Sequence, residues 1–302
     1  MPLPAALSLD LRGRSLTRIR DWTAAEIEAV LDLADELKVQ QHEREPHRFL
    51  EGRTLGLLFR KHSTRTRVSL EVAAAHLGAT ALYLPGEQLQ LERGESVEDT
   101  ARVLSRYLDA LAVRTHEHAE VETFAAVSGV PVVNALTDEA HPLQALADLQ
   151  TIRERFGTLE GVRVGWVGDG TNVCVSLAEA CALLGAELTC AVPSGYEPTD
   201  SSIRLVRDPR EAAEGAHVLV TDVWVSMGQE DERDRRVADL AGYSLDTDLL
   251  ALAEPEAIVL HCLPAHPGEE IAADVLYGPR SAVWDEAENR LHTAKAVLAL
   301  TV

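Results

Sequence analysis

Thr54-Leu-Gly-Leu-Leu-Phe59 runs directly into Arg60-Lys-His-Ser-Thr-Arg-Thr-Arg67 and then into Val68 to Leu77. The six apolar residues read as a buried strand, and the segment from about 64 to 77 reads as a helix. A buried strand feeding a helix is the unit from which parallel sheets are built. The join carries three arginines, a lysine, a histidine and three hydroxyls. Backbone N–H groups at a helix start, short hydroxyl side chains and guanidinium forks together make a seat for a phosphate-like anion. No Gly-x-x-x-x-Gly-Lys-Ser/Thr loop is present, so the seat is not of the nucleotide-triphosphate kind. The plain alternative is a solvated basic helix start. Cations at a helix N-terminus oppose the helix dipole, however, and so call for a compensating anion.

The rest of the chain is acidic. Its 302 residues carry 49 Asp and Glu against 28 Lys and Arg, a formal net charge of −21. Most of such a surface repels nucleic acid and anionic membranes, and neither is expected as a partner. An anionic small molecule needs a local cationic pocket. Residues 60–67 concentrate positive charge, with Arg114 and Arg290 as further candidates and Lys61 as support, one of only three lysines. No apolar run approaches the 18 residues of a membrane span, and the opening Met-Pro-Leu-Pro-Ala-Ala-Leu lacks a signal-peptide pattern. A cytoplasmic enzyme is expected. Cys174, Cys181, Cys190 and Cys262 show no C-x-x-C spacing, so neither a metal site nor a disulfide framework is expected.

Outward from residues 54–77 the pattern alternates. Thr23 and Glu26 form a capping box before an amphipathic helix reaching about Gln40. Strands are expected near 79–84, 111–114 and 131–134, with a polar loop at 85–95 and helices from Ser96 to Tyr107 and at 117–127. After a helix starting near His141, the pattern resumes with strands at 162–167, 187–192, 217–221 and 257–261. A helix at 172–184 and a terminal helix from about Glu288 complete it. This alternation predicts an α/β protein of two doubly wound parallel-sheet domains joined by two interdomain helices. The expected boundaries are 1–140 with the C-terminal helix at about 288–302, and 141–287. In such sheets ligands sit beyond the carboxyl ends of the strands, where every residue of interest falls.

Taken one by one, these residues have ordinary readings. His141 at a helix start suits a cap or a core histidine, though Gln144 one turn on sets a donor and an acceptor on the same face. Asp222 after a strand suits a turn, Arg290 a surface or dipole arginine, and Cys262 at a strand end an inert packing residue. Gly168-x-Gly170 between strand and helix raises a dinucleotide-dependent dehydrogenase. Against that, Val173 stands where the third glycine belongs and Pro193-Ser194, not an acidic residue, ends the next strand.

Together the segments resemble the ornithine carbamoyltransferases of the aspartate/ornithine carbamoyltransferase superfamily. The motifs are Ser63-Thr-Arg-Thr-Arg67, His141-Pro-Leu-Gln144, Gly168-Asp-Gly-Thr-Asn172, Asp222 with Ser226-Met-Gly228, His261-Cys-Leu-Pro264 and Glu288-Asn-Arg290, in the family's order. The resemblance implies transfer of the carbamoyl group of carbamoyl phosphate to the δ-amine of L-ornithine, giving citrulline and phosphate, in arginine biosynthesis or the arginine deiminase pathway. It implies no cofactor. Ser63, Thr64, Arg65 and Thr66 would hold the phosphate, and Arg114 would reach both phosphate and carbonyl oxygen. His141 and Gln144 would bind the carbamoyl group, with Arg290, Cys262 and Leu263 completing the carbamoyl phosphate site. Asn172, Asp222, Ser226 and Met227 would grip ornithine. Arg65, Arg114, His141 and Cys262 are the expected catalytic set, Cys262 as a candidate proton acceptor and not a covalent nucleophile. A cis Leu263–Pro264 bond is implied. The loop from Gly86 to Glu95 would place Gln90 in a neighbouring subunit's site, making a homotrimer, or a multiple of trimers, the active form. His62, Arg60 and Thr171 depart from the family's common pattern. An alternative is a carbamoyltransferase for another acceptor.

Overall fold

The strand, basic join and helix at 54–77 form as the sequence leads one to expect in the computed structural model, which describes residues 9–199, 203–226 and 228–302. The chain divides into two compact units. One comprises Met1–Gln150 with Glu288–Val302, the other Thr151–Ala287.

The first unit holds a four-stranded parallel sheet in the order β2-β1-β3-β4. The strands are β1 (Thr54–Phe59), β2 (Thr80–Pro85), β3 (Ala110–Arg114) and β4 (Val132–Leu136). Helices α1 (Ala24–His42), α2 (Thr64–Leu77), α3 (Val97–Leu104) and α4 (His118–Val127) accompany them. The capping box of Thr23 and Glu26 opens α1, and Ser63 and Ser96 cap α2 and α3 by accepting from Thr66 and Asp99 N–H. Each cap satisfies an amide that the first turn leaves without a partner. Leu58, Leu111, Val113, Phe124 and Val132 are buried together as core. The polar loop is not shapeless: Gly86–Gln88 and Gln90–Arg93 form two 3₁₀ turns.

The chain moves from β1 outward to β2 and then back past β1 to β3 on the other side. The ends of β1 and β3 therefore flank the point where the winding reverses, the usual ligand position in open parallel sheets. Phe59 and Arg114 pair in register there, and Arg60 N–H donates to Arg114 O at 2.8 Å. The basic join and Arg114 are thus delivered to one place by sheet register alone.

The division between units falls within α5 (Pro142–Phe156) and α11 (Val283–Thr301). The terminal helix begins five residues before the expected Glu288. Asp285 and Glu286 sit in its first turn, where negative charge suits the dipole. Within the first unit, Lys295 of α11 is wholly buried. Its ammonium donates to Leu37 O at 3.2 Å and Gln41 Oε1 at 2.9 Å, and lies 3.2 Å from His47 Nε2. Burial pushes the Lys295 amine down to about 8. His47 is lowered by its own burial and then by Lys295.

The second unit has a five-stranded parallel sheet in the order β7-β6-β5-β8-β9. Its strands are β5 (Arg163–Val167), β6 (Glu187–Ala191), β7 (Arg204–Val206), β8 (Val218–Thr221) and β9 (Ile258–His261). Helix α6 (Asn172–Leu184) follows β5. Short helices α7 (Pro209–Ala213), α8 (Arg233–Leu240), α9 (Thr247–Leu250) and α10 (Ala273–Leu276) fill the later connections. Val167, Leu219, Val259, Ile271 and Val283 form its core. Here the winding reverses between β5 and β8, so the turns after Val167 and Thr221 flank that unit's ligand position. No helix among the described residues is long and apolar enough to cross a membrane.

Candidate active site

The basic join largely neutralises itself. Arg60 pairs with Glu92 at 3.0 Å and also with Glu120, and Lys61 pairs with Asp138. Arg67 pairs with Glu71 at 2.8 Å, and its guanidinium carbon lies 3.6 Å from the centroid of the Tyr83 ring. The compensating anions expected from the helix dipole are therefore partly carboxylates of the chain. Lys61, read as support for an anion pocket, is committed to Asp138, and His62 is exposed. Ser63 caps α2 and is half-buried, Thr64 and Arg65 are exposed, and Thr66 is buried.

Deeper positive charge comes from elsewhere in the same unit. Arg114, His141, Gln144 and Arg290 are all buried. Arg290 joins three elements: Nη2 donates to Thr66 Oγ1 at 3.2 Å and Nη1 donates to Gln144 Oε1. The Gln144 amide nitrogen donates in turn to Asp148 Oδ1 at 2.8 Å. His141 is driven well below the ordinary imidazole range by burial first, then by the charges of Arg290 and Arg114. It is consequently a neutral hydrogen-bonding group at physiological pH. Two buried guanidiniums, a neutral imidazole, an amide and a hydroxyl suit an anion that also carries an amide-like end. Gln90, exposed on its 3₁₀ turn, makes no hydrogen bond to this cluster among the described residues.

In the second unit the register Thr221↔His261 brings the next residue of each strand together. Cys262 Sγ donates to Asp222 Oδ1 at 3.0 Å, and Thr171 Oγ1 donates to Asp222 Oδ2 at 3.0 Å. Asp222 is buried, and Cys262 is partly exposed. Asn172 opens α6 beside Thr171 and is half-buried. Ser226 N–H donates to Gln229 Oε1 at 3.0 Å. Met227 lies outside the described residues. The carboxylate of Asp222, accepting from the Cys262 thiol and the Thr171 hydroxyl, offers a counter-charge to an ammonium.

Two loops need special backbone. Leu263 has φ 57°, a left-handed conformation leucine seldom adopts, and the Leu263–Pro264 bond is cis. Leu263 N–H donates to His261 Nδ1 at 2.9 Å, while His261 Nε2 lies 3.2 Å from the buried Glu270 carboxylate. Gly170 admits no side chain: a Cβ there would run into Pro198 and approach Tyr196 O to 2.7 Å. The chain's own loop fills the space where a dinucleotide pyrophosphate would approach the second glycine of a dehydrogenase fingerprint. Asp169 is pushed up to about 6 by burial, which Arg236 opposes and Asp222 reinforces.

Asp222, His261 and Cys262 bring three potential metal-ligand atoms within 4.8 Å of one another. Both His261 nitrogens are already engaged, which makes the set a poor cage. His42, Glu288 and His292 form a comparable group, with His266, Glu269 and Glu270 a third.

Asp148, Arg236 and Glu270 were missed in the sequence. Asp148 had a signal, since it lies four residues after Gln144 on one helix face. Arg236 and Glu270 are joined to the site only by tertiary folding.

A sequence profile of the aspartate/ornithine carbamoyltransferase carbamoyl-P binding domain matches residues 14–154, and one of the Asp/Orn binding domain matches residues 160–301. The chain belongs to the aspartate/ornithine carbamoyltransferase family. Among members of this carbamoyltransferase family, it is 50% identical to the ornithine carbamoyltransferase of Pyrococcus abyssi over 306 residues, covering 97% of this chain and 96% of that one. It is 49% identical to the anabolic ornithine carbamoyltransferase of Pyrococcus furiosus, covering 97% and 98%. The solved P. furiosus ornithine carbamoyltransferase superposes with a TM-score of 0.94 at 49% identity over 97% of this chain and 98% of that one. That from Thermus thermophilus gives 0.87 at 46% over 94% and 97%. The carbamoyl-P binding profile covers Ser63–Thr66, Gln90, Arg114, His141 and Gln144; the Asp/Orn profile covers Asn172, Asp222, Ser226, Cys262 and Leu263. Arg290 falls within the Asp/Orn profile although it packs in the first unit.

Proposed function

We propose that the protein transfers the carbamoyl group of carbamoyl phosphate to the δ-amine of L-ornithine, releasing citrulline and phosphate. The observation that carries this reading is the buried set of Arg114, Arg290, neutral His141 and Gln144, inside a unit whose sequence matches a carbamoyl-P binding domain. The amine nitrogen bonds to the carbonyl carbon, a tetrahedral oxyanion forms, and the bond to the phosphate oxygen breaks. The N-terminus of α2, with Ser63, Thr64, Arg65 and Thr66, receives the phosphate, supported by Arg290. Arg114 and His141 stabilise the oxyanion, and neutrality lets His141 donate a hydrogen bond without adding a third positive charge. Gln144 binds the carbamoyl amide, with Cys262 and Leu263 at the same group.

Asp222 receives the α-ammonium of ornithine, with Asn172, Ser226 and Met227 fixing the head group. Cys262 is the candidate acceptor of the amine proton, a role open to it as the thiolate and not as the thiol that donates to Asp222. The buried Asp222 carboxylate disfavours aspartate, which would bring a second carboxylate, and acylated ornithine, which lacks the ammonium. The relative named anabolic supports a place in arginine biosynthesis. The active form is a homotrimer, or a multiple of trimers, in the cytoplasm. Exposed Gln90, together with exposed Val68 and Leu82 on the same unit, supports a subunit contact there. Citrulline formation from carbamoyl phosphate and ornithine, with aspartate and acetylornithine as rival acceptors, tests the activity. No citrulline, or a better rival, overturns it. A fully active monomer in light scattering overturns the trimer.

A further inference from the structure

A glutamine amide serves a ligand only in one of two orientations, which differ by a half-turn that interchanges donor and acceptor. At Gln144 both ends are held by partners of fixed character. Arg290, which can only donate, faces Oε1, and the carboxylate of Asp148 faces the amide nitrogen at 2.8 Å. A flipped amide would set N–H against N–H at one end and oxygen against oxygen at the other. Arg290 also donates to Thr66 Oγ1 beside the proposed phosphate seat. Its hold on Gln144 is thus shared with the ligand, whereas Asp148 lies one turn deeper in α5 and is only 1% exposed.

We propose that Asp148 is a positioning residue that fixes the Gln144 amide for the carbamoyl end of carbamoyl phosphate. This rests on the carbamoyl-transfer reading above. Asp148 acts through Gln144 and not on the phosphate, so its loss should separate two affinities that a general loosening would move together.

The test measures citrulline formation by the full-length enzyme, with KM for carbamoyl phosphate, KM for ornithine and Ki for inorganic phosphate. Asp148→Leu should lower kcat/KM for carbamoyl phosphate on the order of 10-fold or more, the scale of one lost hydrogen bond to a charged group. The phosphate Ki and the ornithine KM should stay at wild-type values. Asp148→Asn keeps an acceptor oxygen and should retain most of the activity. If Asp148→Leu does not fold, Gln144→Glu replaces it. That change sets carboxylate against carboxylate, and adding Asp148→Asn should restore part of the lost carbamoyl phosphate affinity. The proposal is overturned if phosphate and carbamoyl phosphate affinities fall in parallel, or if Asp148→Asn is as impaired as Asp148→Leu. Normal kinetics in Asp148→Leu, or failure of the paired substitution to rescue, also overturns it. A wild-type enzyme that makes no citrulline refutes the underlying reading instead.

Discussion

Replacing Lys295 with methionine should erase an alkaline slope in stability. Lys295 is one of three lysines in the chain, and it is wholly buried where α11 meets α1 in the first unit. Burial lowers its amine from the usual 10.5 to about 8, with Glu288 opposing the shift. A base lowered in the folded state favours folding once it has shed its proton. Between pH 8 and 10.5 the unfolded chain still holds that proton and the folded chain does not, so stability rises with pH across this window. Below pH 8 both states are protonated and the slope vanishes. The interval from 10.5 to about 8 is worth about 3 kcal/mol, at about 1.4 kcal/mol per pH unit. Lys295→Met keeps the stem volume but gives up contacts to Leu37 O, Gln41 Oε1 and His47 Nε2. Its stability at neutral pH is therefore not the test. Denaturant titrations of both proteins at pH 7.5 to 10.5 supply it, since tyrosines and other groups titrate alike in each and cancel in the difference. Wild type should gain on the variant by up to about 3 kcal/mol over that range. A difference that stays flat, or moves the other way, refutes the reasoning.

Three further outcomes are expected. Arg65→Ala and Arg114→Ala should each lower kcat/KM on the order of 10²-fold or more, as loss of a preorganised donor does; near-normal steady-state kinetics in either would remove that residue from the site. Activity should climb from pH 7 into the alkaline range. The attacking amine resembles lysine, with an ordinary pKa of about 10.4, and buried His141 is already neutral and adds no step there. A flat pH–rate profile with chemistry rate-limiting would oppose amine deprotonation as the control. Gly165→Ala should destabilise the second unit by about 1–3 kcal/mol or more in chemical denaturation, because its Cβ would drive into Ala212 O and come within 2.8 Å of Leu219 Cδ2. An unchanged denaturation midpoint would mean β5 yields more easily than its packing suggests.

Much of the fold was legible because it rests on local signals. Apolar strands ending at Phe59, Arg114, Val167, Thr221 and His261, with caps at Thr23 and Ser96, state the alternation outright. Elements of three to eight residues, such as β7, α8 and α10, are too short for periodicity to speak. The early start of α11 depends on a long-range contact, as Glu286 accepts from His261 N–H at 2.8 Å. At the candidate site, sequence located the basic join but not which cations remain for a ligand. Arg60, Lys61 and Arg67 are taken by Glu92, Glu120, Asp138, Glu71 and Tyr83, partners between 4 and 77 positions away. Two of the buried arginines, 114 and 290, are separated by most of the chain, and only folding shows both acting on His141.

Because the first unit combines Met1–Gln150 with Glu288–Val302, its completion waits until α11 has been made, after the whole of the second unit. A nascent chain on the ribosome has its whole second sheet available before Arg290 leaves the exit tunnel, so the inserted unit is free to fold ahead of the one that precedes it in sequence. The anion cluster is finished only after the chain of that second unit has been made. A chain released before residue 290 lacks the guanidinium that bonds both Thr66 and Gln144.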